Sequence, residues 1–272
     1  MATLGQIIFY SMVTLIVIFS AFIILILVLA FKNSSSAVLS SDAAPVANFG
    51  QDELLSCYLS VPATSAQISL TQVSVTWEKT DMNGLVYQFV NGAPNLVNQN
   101  SQFAGRTQLF PNELASGNAS LLLRSVMSSD QGVYTCTISS SGGGGKVNIN
   151  LRTAAFSAPT FTLSNGSLGA VANWWSPKPN VTWKDANENA LDGNTSFTQN
   201  SAGIFSVVST LQSVNMSSTY TCKIANNLVA AVSKATVTES GVSGNSYFVY
   251  SAASSLLAST YLNILTSIYY LT

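Results

Sequence analysis

Three cysteines, Cys57, Cys136 and Cys222, are the side chains best able to make or break a covalent bond in this sequence. A nucleophilic thiol needs a base beside it, yet the 272-residue chain contains no histidine. The same absence removes Ser/His/Asp triads and imidazole-based zinc sites, which need a group titrating near neutrality or an imidazole ligand. Among the carboxylates, Asp52 and Glu53 are neighbours on an expected strand, so they point to opposite faces and cannot share a proton-transfer role. No dense Asp/Glu cluster offers the oxygen ligands that calcium takes. No enzymatic activity, metal or cofactor is therefore expected. What remains for the cysteines is structural bridging, their ordinary use in an exported domain.

The elements that must position them are short strands. Val73, Val75 and Trp77 point one way while Ser74, Thr76 and Glu78 point the other, the period of a half-buried strand. Leu55 and Cys57 share a face, as do Leu121 and Leu123, and Tyr134 and Cys136. Cys57, Trp77 and the run Asp130-Gln131-Gly132-Val133-Tyr134-Thr135-Cys136 together match an immunoglobulin-like sandwich. There, cysteines on opposite sheets bridge the core, the tryptophan packs on the sulfurs and the tyrosine shares the inward face. The 79 positions from Cys57 to Cys136 leave room for the extra strands of a variable-type domain, beginning at Leu85 to Val90. Arg106 stands where such domains place the arginine that pairs with the aspartate before the second cysteine, here Asp130. That ion pair is expected to be structural.

A second, shorter sandwich is expected from Trp183, in Pro179-Asn180-Val181-Thr182-Trp183, and from Tyr220-Thr221-Cys222. Its first cysteine is missing: residues 154 to 219 contain none, and Ala170 stands thirteen residues before Trp183 where the partner would sit. Cys222 is thus an unpaired thiol. It is expected to be buried, since it shares the inward face of Tyr220 and a buried thiol behaves as a small hydrophobe.

Composition places this body between two apolar ends. Hydrophobic residues make up 47% of the chain and charged ones 8%; the ten basic and eleven acidic side chains all fall between Lys32 and Glu239. The net charge of −1 and the lack of a basic run argue against nucleic acid as a partner. Ile7 to Phe31 is a mostly apolar run of 25 residues, longer than the core of an ordinary secretory signal and long enough to span a bilayer. A cleaved signal is favoured over an uncleaved signal anchor, because the body requires export. After Ser240-Gly241-Val242-Ser243-Gly244-Asn245-Ser246, the uncharged stretch from Tyr247 to Thr272 has the pattern of a lipid-anchor attachment signal, with a short transmembrane span as the alternative. An extra strand or helix there ranks lower, since no charge interrupts the run. The expected division is therefore 1–37 signal peptide or anchor, 38–153 variable-type domain, 154–240 constant-like domain and 241–272 membrane-anchor tail. Export also accords with Asn-x-Ser/Thr triplets at Asn118, Asn165, Asn180, Asn194 and Asn215, expected glycosylation sites. A further triplet, at Asn33, is set aside for its closeness to the apolar segment.

Several short stretches in consistent order carry a closer likeness. The opening Met1-Ala2-Thr3-Leu4-Gly5-Gln6-Ile7, then Gly105-Arg106-Thr107, Gly117-Asn118-Ala119-Ser120-Leu121, Ala155-Phe156-Ser157-Ala158-Pro159, Asn194-Thr195-Ser196-Phe197 and Val237-Thr238-Glu239-Ser240 resemble the co-signalling ligands of the immunoglobulin superfamily. The likeness runs from the first residue to about Ser240. It implies an all-β, membrane-anchored ligand at the external side of the plasma membrane, with a variable-type domain followed by a constant-like one. Such a ligand engages a receptor protein on T cells and damps activation, proliferation and cytokine output. In that family the front sheet, strands G, F, C and C′, faces the receptor. Carried onto this chain, that face would include Glu78, Lys79, Tyr87 and Phe89, with a flexible Ser139 to Gly145 loop at its edge. At most weak self-association is expected. The alternative function is adhesion without signalling, because the same fold serves both purposes.

Overall fold

The alternating strands around Trp77 assemble into the first of two sandwiches in the computed structural model, which describes residues 4–32, 37–60, 69–140 and 143–252, the backbone alone at 4, 6–9 and 27–32. The strands of the first domain, in chain order, are β1 (Val38–Leu39), β2 (Val46–Asn48), β3 (Glu53–Leu55), β4 (Tyr58–Leu59), β5 (Ser74–Lys79), β6 (Tyr87–Val90), β7 (Ala93–Pro94), β8 (Thr107–Leu109), β9 (Leu121–Leu123), β10 (Gly132–Ser140) and β11 (Gly143–Ala154). The front sheet has the order β2-β11-β10-β5-β6-β7, and the back layer is β3-β9-β8 with the small pair β1-β4. Between the layers, Leu55, Leu121, Leu123, Val75, Trp77, Phe89, Tyr134, Ile138, Ile149 and Leu151 form one buried core around Cys57 and Cys136, which are joined as a disulfide. The buried indole of Trp77 donates to the Ala119 carbonyl at 3.1 Å, so its one polar atom is satisfied.

The second domain continues with β12 (Thr160–Ser164), β13 (Ser167–Trp175), β14 (Asn180–Lys184), β15 (Ala190–Leu191), β16 (Asn194–Gln199), β17 (Phe205–Leu211), β18 (Thr219–Ala225), β19 (Val229–Thr238) and β20 (Gly241–Tyr250). One sheet has the order β12-β13-β17-β16 and the other β15-β14-β18-β19-β20. The hairpin from β12 to β13 turns at Asn165-Gly166, both with positive φ (49° and 72°), the backbone that a two-residue turn matching the strand twist requires. Trp183, Ala170 and Cys222 lie in one core, and the Trp183 indole donates to Ser209 Oγ at 2.8 Å.

Strand β20 differs from the expected division. Its ten residues, expected to open an anchor tail at 241, pair along the whole length of β19, from Thr238↔Gly241 to Val229↔Tyr250. The pairing holds because alternate side chains find a core: Val242 and Phe248 pack against the buried cluster of the second domain, while Tyr247 and Val249 face outward. A stretch without charge is therefore half a sandwich edge. The rest of that tail, 253–272, lies outside the described residues, as does Asn33.

The N-terminal apolar run forms a helix, α1 (Leu4–Lys32), as a mostly apolar series without proline allows. Its side chains from Tyr10 to Ile26 are all exposed. Among the described residues no helix is long and apolar enough to cross a membrane.

The domains meet where β11 runs into β12. Asn48 donates from Nδ2 to the Phe156 carbonyl at 2.9 Å and accepts from the Phe156 amide at 3.1 Å. The Phe156 ring contacts Phe248 and Tyr250 edge-on.

Candidate functional site

The outward face of the first domain's front sheet is fixed by register with its core. Cys136 lies opposite Trp77 and Val147, and Trp77 opposite Tyr87, so the residues between them point outward. Across the sheet these form two rows, Lys146–Thr137–Thr76–Gln88 and Asn148–Thr135–Glu78. Thr135 Oγ1 bonds Asn148 Oδ1 at 3.0 Å, and Asn95 donates to Gln88 Oε1 at 3.1 Å. Val133, near the start of β10, is an exposed apolar residue of the same parity, and Leu96 and Val97, beyond β7, are exposed as well. The result is a broad face of hydroxyls and amides with one cation, Lys146, and one anion, Glu78, in these rows. It can hydrogen-bond a protein surface; among the described residues no cluster of three or more potential ligands is able to hold a metal.

Of the four residues expected on this face, only Glu78 lies on it. Tyr87 and Phe89 are 5% and 0% exposed and belong to the core. The reason is parity: Tyr87 is opposite Trp77 and Phe89 opposite Val75, so both share the inward side and Gln88 takes the outward one. Lys79 has the inward parity too, at the end of β5, with its alkyl chain close against Gly132. The expected loop from Ser139 to Gly145 is largely hairpin, since Ser139 pairs with Gly144 and Ser140 with Gly143; Ser141 and Gly142 lie outside the described residues. A Cβ at Gly144 would stand 2.4 Å from the Ile138 carbonyl oxygen, so glycine is what permits this close pairing. Beyond the expected candidates the face holds Thr76, whose outward parity the alternation of β5 already shows, together with Gln88, Val133, Thr135, Thr137, Lys146 and Asn148. One step to either side of Cys136 reaches Thr135 and Thr137, whereas Gln88, Lys146 and Asn148 are placed on the face only by pairing with Thr76, Thr137 and Thr135.

An ion pair links the strand that begins at Thr107 in the back layer to the turn that leads into β10. Arg106 grips Asp130 through two bonds, Nη1 to Oδ2 at 2.9 Å and Nη2 to Oδ1 at 2.8 Å. The Asp130 side chain is fully buried and also accepts from Gln102 Nε2 and the Met127 amide, each at 2.9 Å. Burial alone would push its pKa up, but the hydrogen bonds from Arg106, Met127 and Gln102 outweigh it and hold the carboxyl below its ordinary value. The Tyr134 hydroxyl donates to the Asp130 carbonyl at 2.7 Å, a tie across the same corner. In the second domain Cys222 is buried, and burial pushes its thiol up to about 12.

The five glycosylation candidates sit differently. Asn165, Asn180, Asn194 and Asn215 are exposed, whereas Asn118 is half-buried, its Oδ1 accepting from both the amide and hydroxyl of Ser120.

Comparison with known proteins places this geometry. The immunoglobulin V-set domain family matches residues 42–153. The chain is 34% identical over 274 residues to the human V-set domain-containing T-cell activation inhibitor 1, covering 97% of this chain and 95% of that protein. It is 35% identical over 251 residues to the rat protein of the same name, covering 89% and 87%. A crystal structure of the human B7-H4 IgV-like domain aligns with 34% identity and a TM-score of 0.39, covering 44% of this chain and 98% of that one. With similarity of this degree along nearly its whole length, a bridged V-set frame and a second sandwich behind it, the chain belongs to the family of V-set domain-containing T-cell activation inhibitors, within the immunoglobulin superfamily.

Proposed function

We propose that this protein is a cell-surface co-signalling ligand that binds a receptor protein on T cells and negatively regulates their activation, proliferation and cytokine production. The observation that carries the proposal is the front face of the first domain. It is broad, polar and nearly uncharged, backed by a bridged core, and it offers hydrogen bonds and apolar area to a protein rather than a cleft to a substrate. The relatives' names describe inhibitors of T-cell activation. The V-set family is one of binding domains rather than enzymes.

Display at the external side of the plasma membrane follows from the same reading. Val38 lies beside Gly145 near the tip of the β10–β11 hairpin, whereas the described chain ends beside Ser251 at the junction of the domains. An anchor at the N-terminus would hold the hairpin tip against the membrane. Removal of the leader leaves that tip free. Amino-terminal sequencing of the mature protein tests this, with Met1 as first residue opposing it; release by phosphatidylinositol-specific phospholipase C separates a lipid anchor from a span.

Beads carrying a stimulating antibody, with or without the protein from Ala37 to Ala252, test the function. Suppressed T-cell proliferation and cytokine release support it. Enhancement reverses the sign within the same class, and folded protein without effect but with self-association points to adhesion.

A further inference from the structure

The second domain carries a charged face that the receptor reading does not use. Lys184 on β14, Lys223 on β18 and Lys234 on β19 all point outward from the same sheet. Register sets them in two neighbouring rows: Lys184–Thr221–Lys234–Asn245, and Thr182–Lys223–Val232–Tyr247. Lys184 and Lys234 are thus two strands apart, roughly 10 Å, and Lys223 sits one row away, roughly 7 Å along the strands. Thr182, Thr221 and Tyr247 line the same shallow depression of about 230 Å³. The acid at its rim is Glu188, which pairs with Lys184 at 2.8 Å. Lys223 and Lys234 have no ion pair among the described residues.

Three of the chain's ten basic side chains therefore converge on one face of a protein whose net charge is −1. Like charges brought together on a sheet oppose one another, and the carboxylates set against the three lysines are Glu188, at the rim, and Asp185, beside it in the same turn. A polyanion would supply the rest. Two further features select its chemistry. The hydroxyls of Thr182 and Thr221 lie among the ammonium groups, suited to a ligand dense in hydroxyl and sulfate oxygens. The Tyr247 ring, 55% exposed at the end of its row, offers a flat apolar surface to a sugar ring. We propose that this face binds a linear sulfated polysaccharide, of the kind borne by cell surfaces and extracellular matrix. Strand β20 is required for it, because Tyr247 stands on that strand.

The test uses the full-length chain, solubilised in detergent, on immobilised heparin as the sulfated probe. N-glycans are removed enzymatically first, since Asn180 shares the outward parity of Thr182 and Lys184. The expected result is retention that salt reverses, with the Lys223→Glu, Lys234→Glu double variant bound at least about tenfold more weakly. Both lysines are exposed, so an unchanged melting temperature separates lost binding from lost folding. Glu188→Gln should strengthen retention, an effect no structural role predicts, and Arg124→Glu, at an exposed position of the first domain outside its front face, should leave it unchanged. Failure of the wild type to bind heparin, equal binding by the double variant, or equal binding of desulfated heparin would overturn the proposal. Capture by polyglutamate in place of heparin would also overturn it and assign the face to acidic protein segments. T-cell suppression is a separate readout and can persist or fail independently.

Discussion

Arg152, on the last strand of the first domain, donates to both Oγ (2.9 Å) and the carbonyl oxygen (2.8 Å) of Ser251, just past β20. The same guanidinium also bonds the Ala44 carbonyl. One side chain thereby ties the start of the first domain, its own strand and the end of β20 into a single joint. Beside it Phe156 packs edge-on against Phe248 and Tyr250, with ring centroids 5.1 and 5.9 Å away.

A protein ending at Glu239 should therefore behave differently from one ending at Ala252. Removing β20 uncovers the edge of β19 and half of the aromatic joint, and an unpaired edge is a template for association. Small-angle scattering should show a wider spread of inter-domain angles in the shorter protein, and sedimentation should show more oligomer. Identical profiles would mean that β20 does not fasten the joint.

Arg106→Ala leaves the buried Asp130 carboxylate without its cation and should destabilise the first domain by about 3–5 kcal/mol, read from denaturant unfolding. Acidity gives a second view. The Asp130 carboxyl is held below its ordinary value in the folded state, so its contribution is fully present above the unfolded pKa of about 4 and is lost as pH falls through the lower folded value. The advantage of wild type over Asp130→Asn should accordingly be full at pH 6 and shrink below about pH 4.

Substitutions on the two sides of β5 and β6 should separate recognition from folding. Phe89→Ala removes a fully buried ring and should cost about 3–5 kcal/mol in stability. Thr76→Arg and Gln88→Arg change only the outward face and should leave the melting temperature within a few degrees while reducing suppression of T cells. Unchanged suppression by folded outward variants would move the receptor contact off this sheet.

Cys222 should resist maleimide in the native protein and react on unfolding, because its thiol is buried and pushed up to about 12 and thiolate is the reactive form. Ala170, fully buried in the same core, holds the position of the missing partner. Ala170→Cys should consume the free thiol and stabilise the second domain by about 2–4 kcal/mol. A thiol count of two after that substitution would show the strands to be misaligned for bridging.

The sequence by itself determined whatever depends on local alternation and on strongly marked residues. Cys57, Trp77, Tyr134 and Cys136 announce the first sandwich because a bridge, an indole and a hydroxyl in one core leave few other arrangements, and Arg106 with Asp130 follows from them. Ala170 likewise showed that Cys222 would stand alone. Tertiary structure decided which way unmarked strands turn. In Val86-Tyr87-Gln88-Phe89-Val90 four of five residues are apolar or aromatic, so alternation does not choose a face, and it is pairing of Tyr87 with Trp77 and of Phe89 with Val75 that turns these two to the core. For Gly241–Tyr250 the lack of charge looked like a membrane tail, whereas the partner that makes it a strand is β19 and the acceptor of Phe248 is the core behind it. The lysine face has the same origin: Lys184, Lys223 and Lys234 are scattered over fifty positions, and three neighbouring strands bring them together. Long-range pairing sets such relationships, and it leaves no trace in a residue's immediate neighbours.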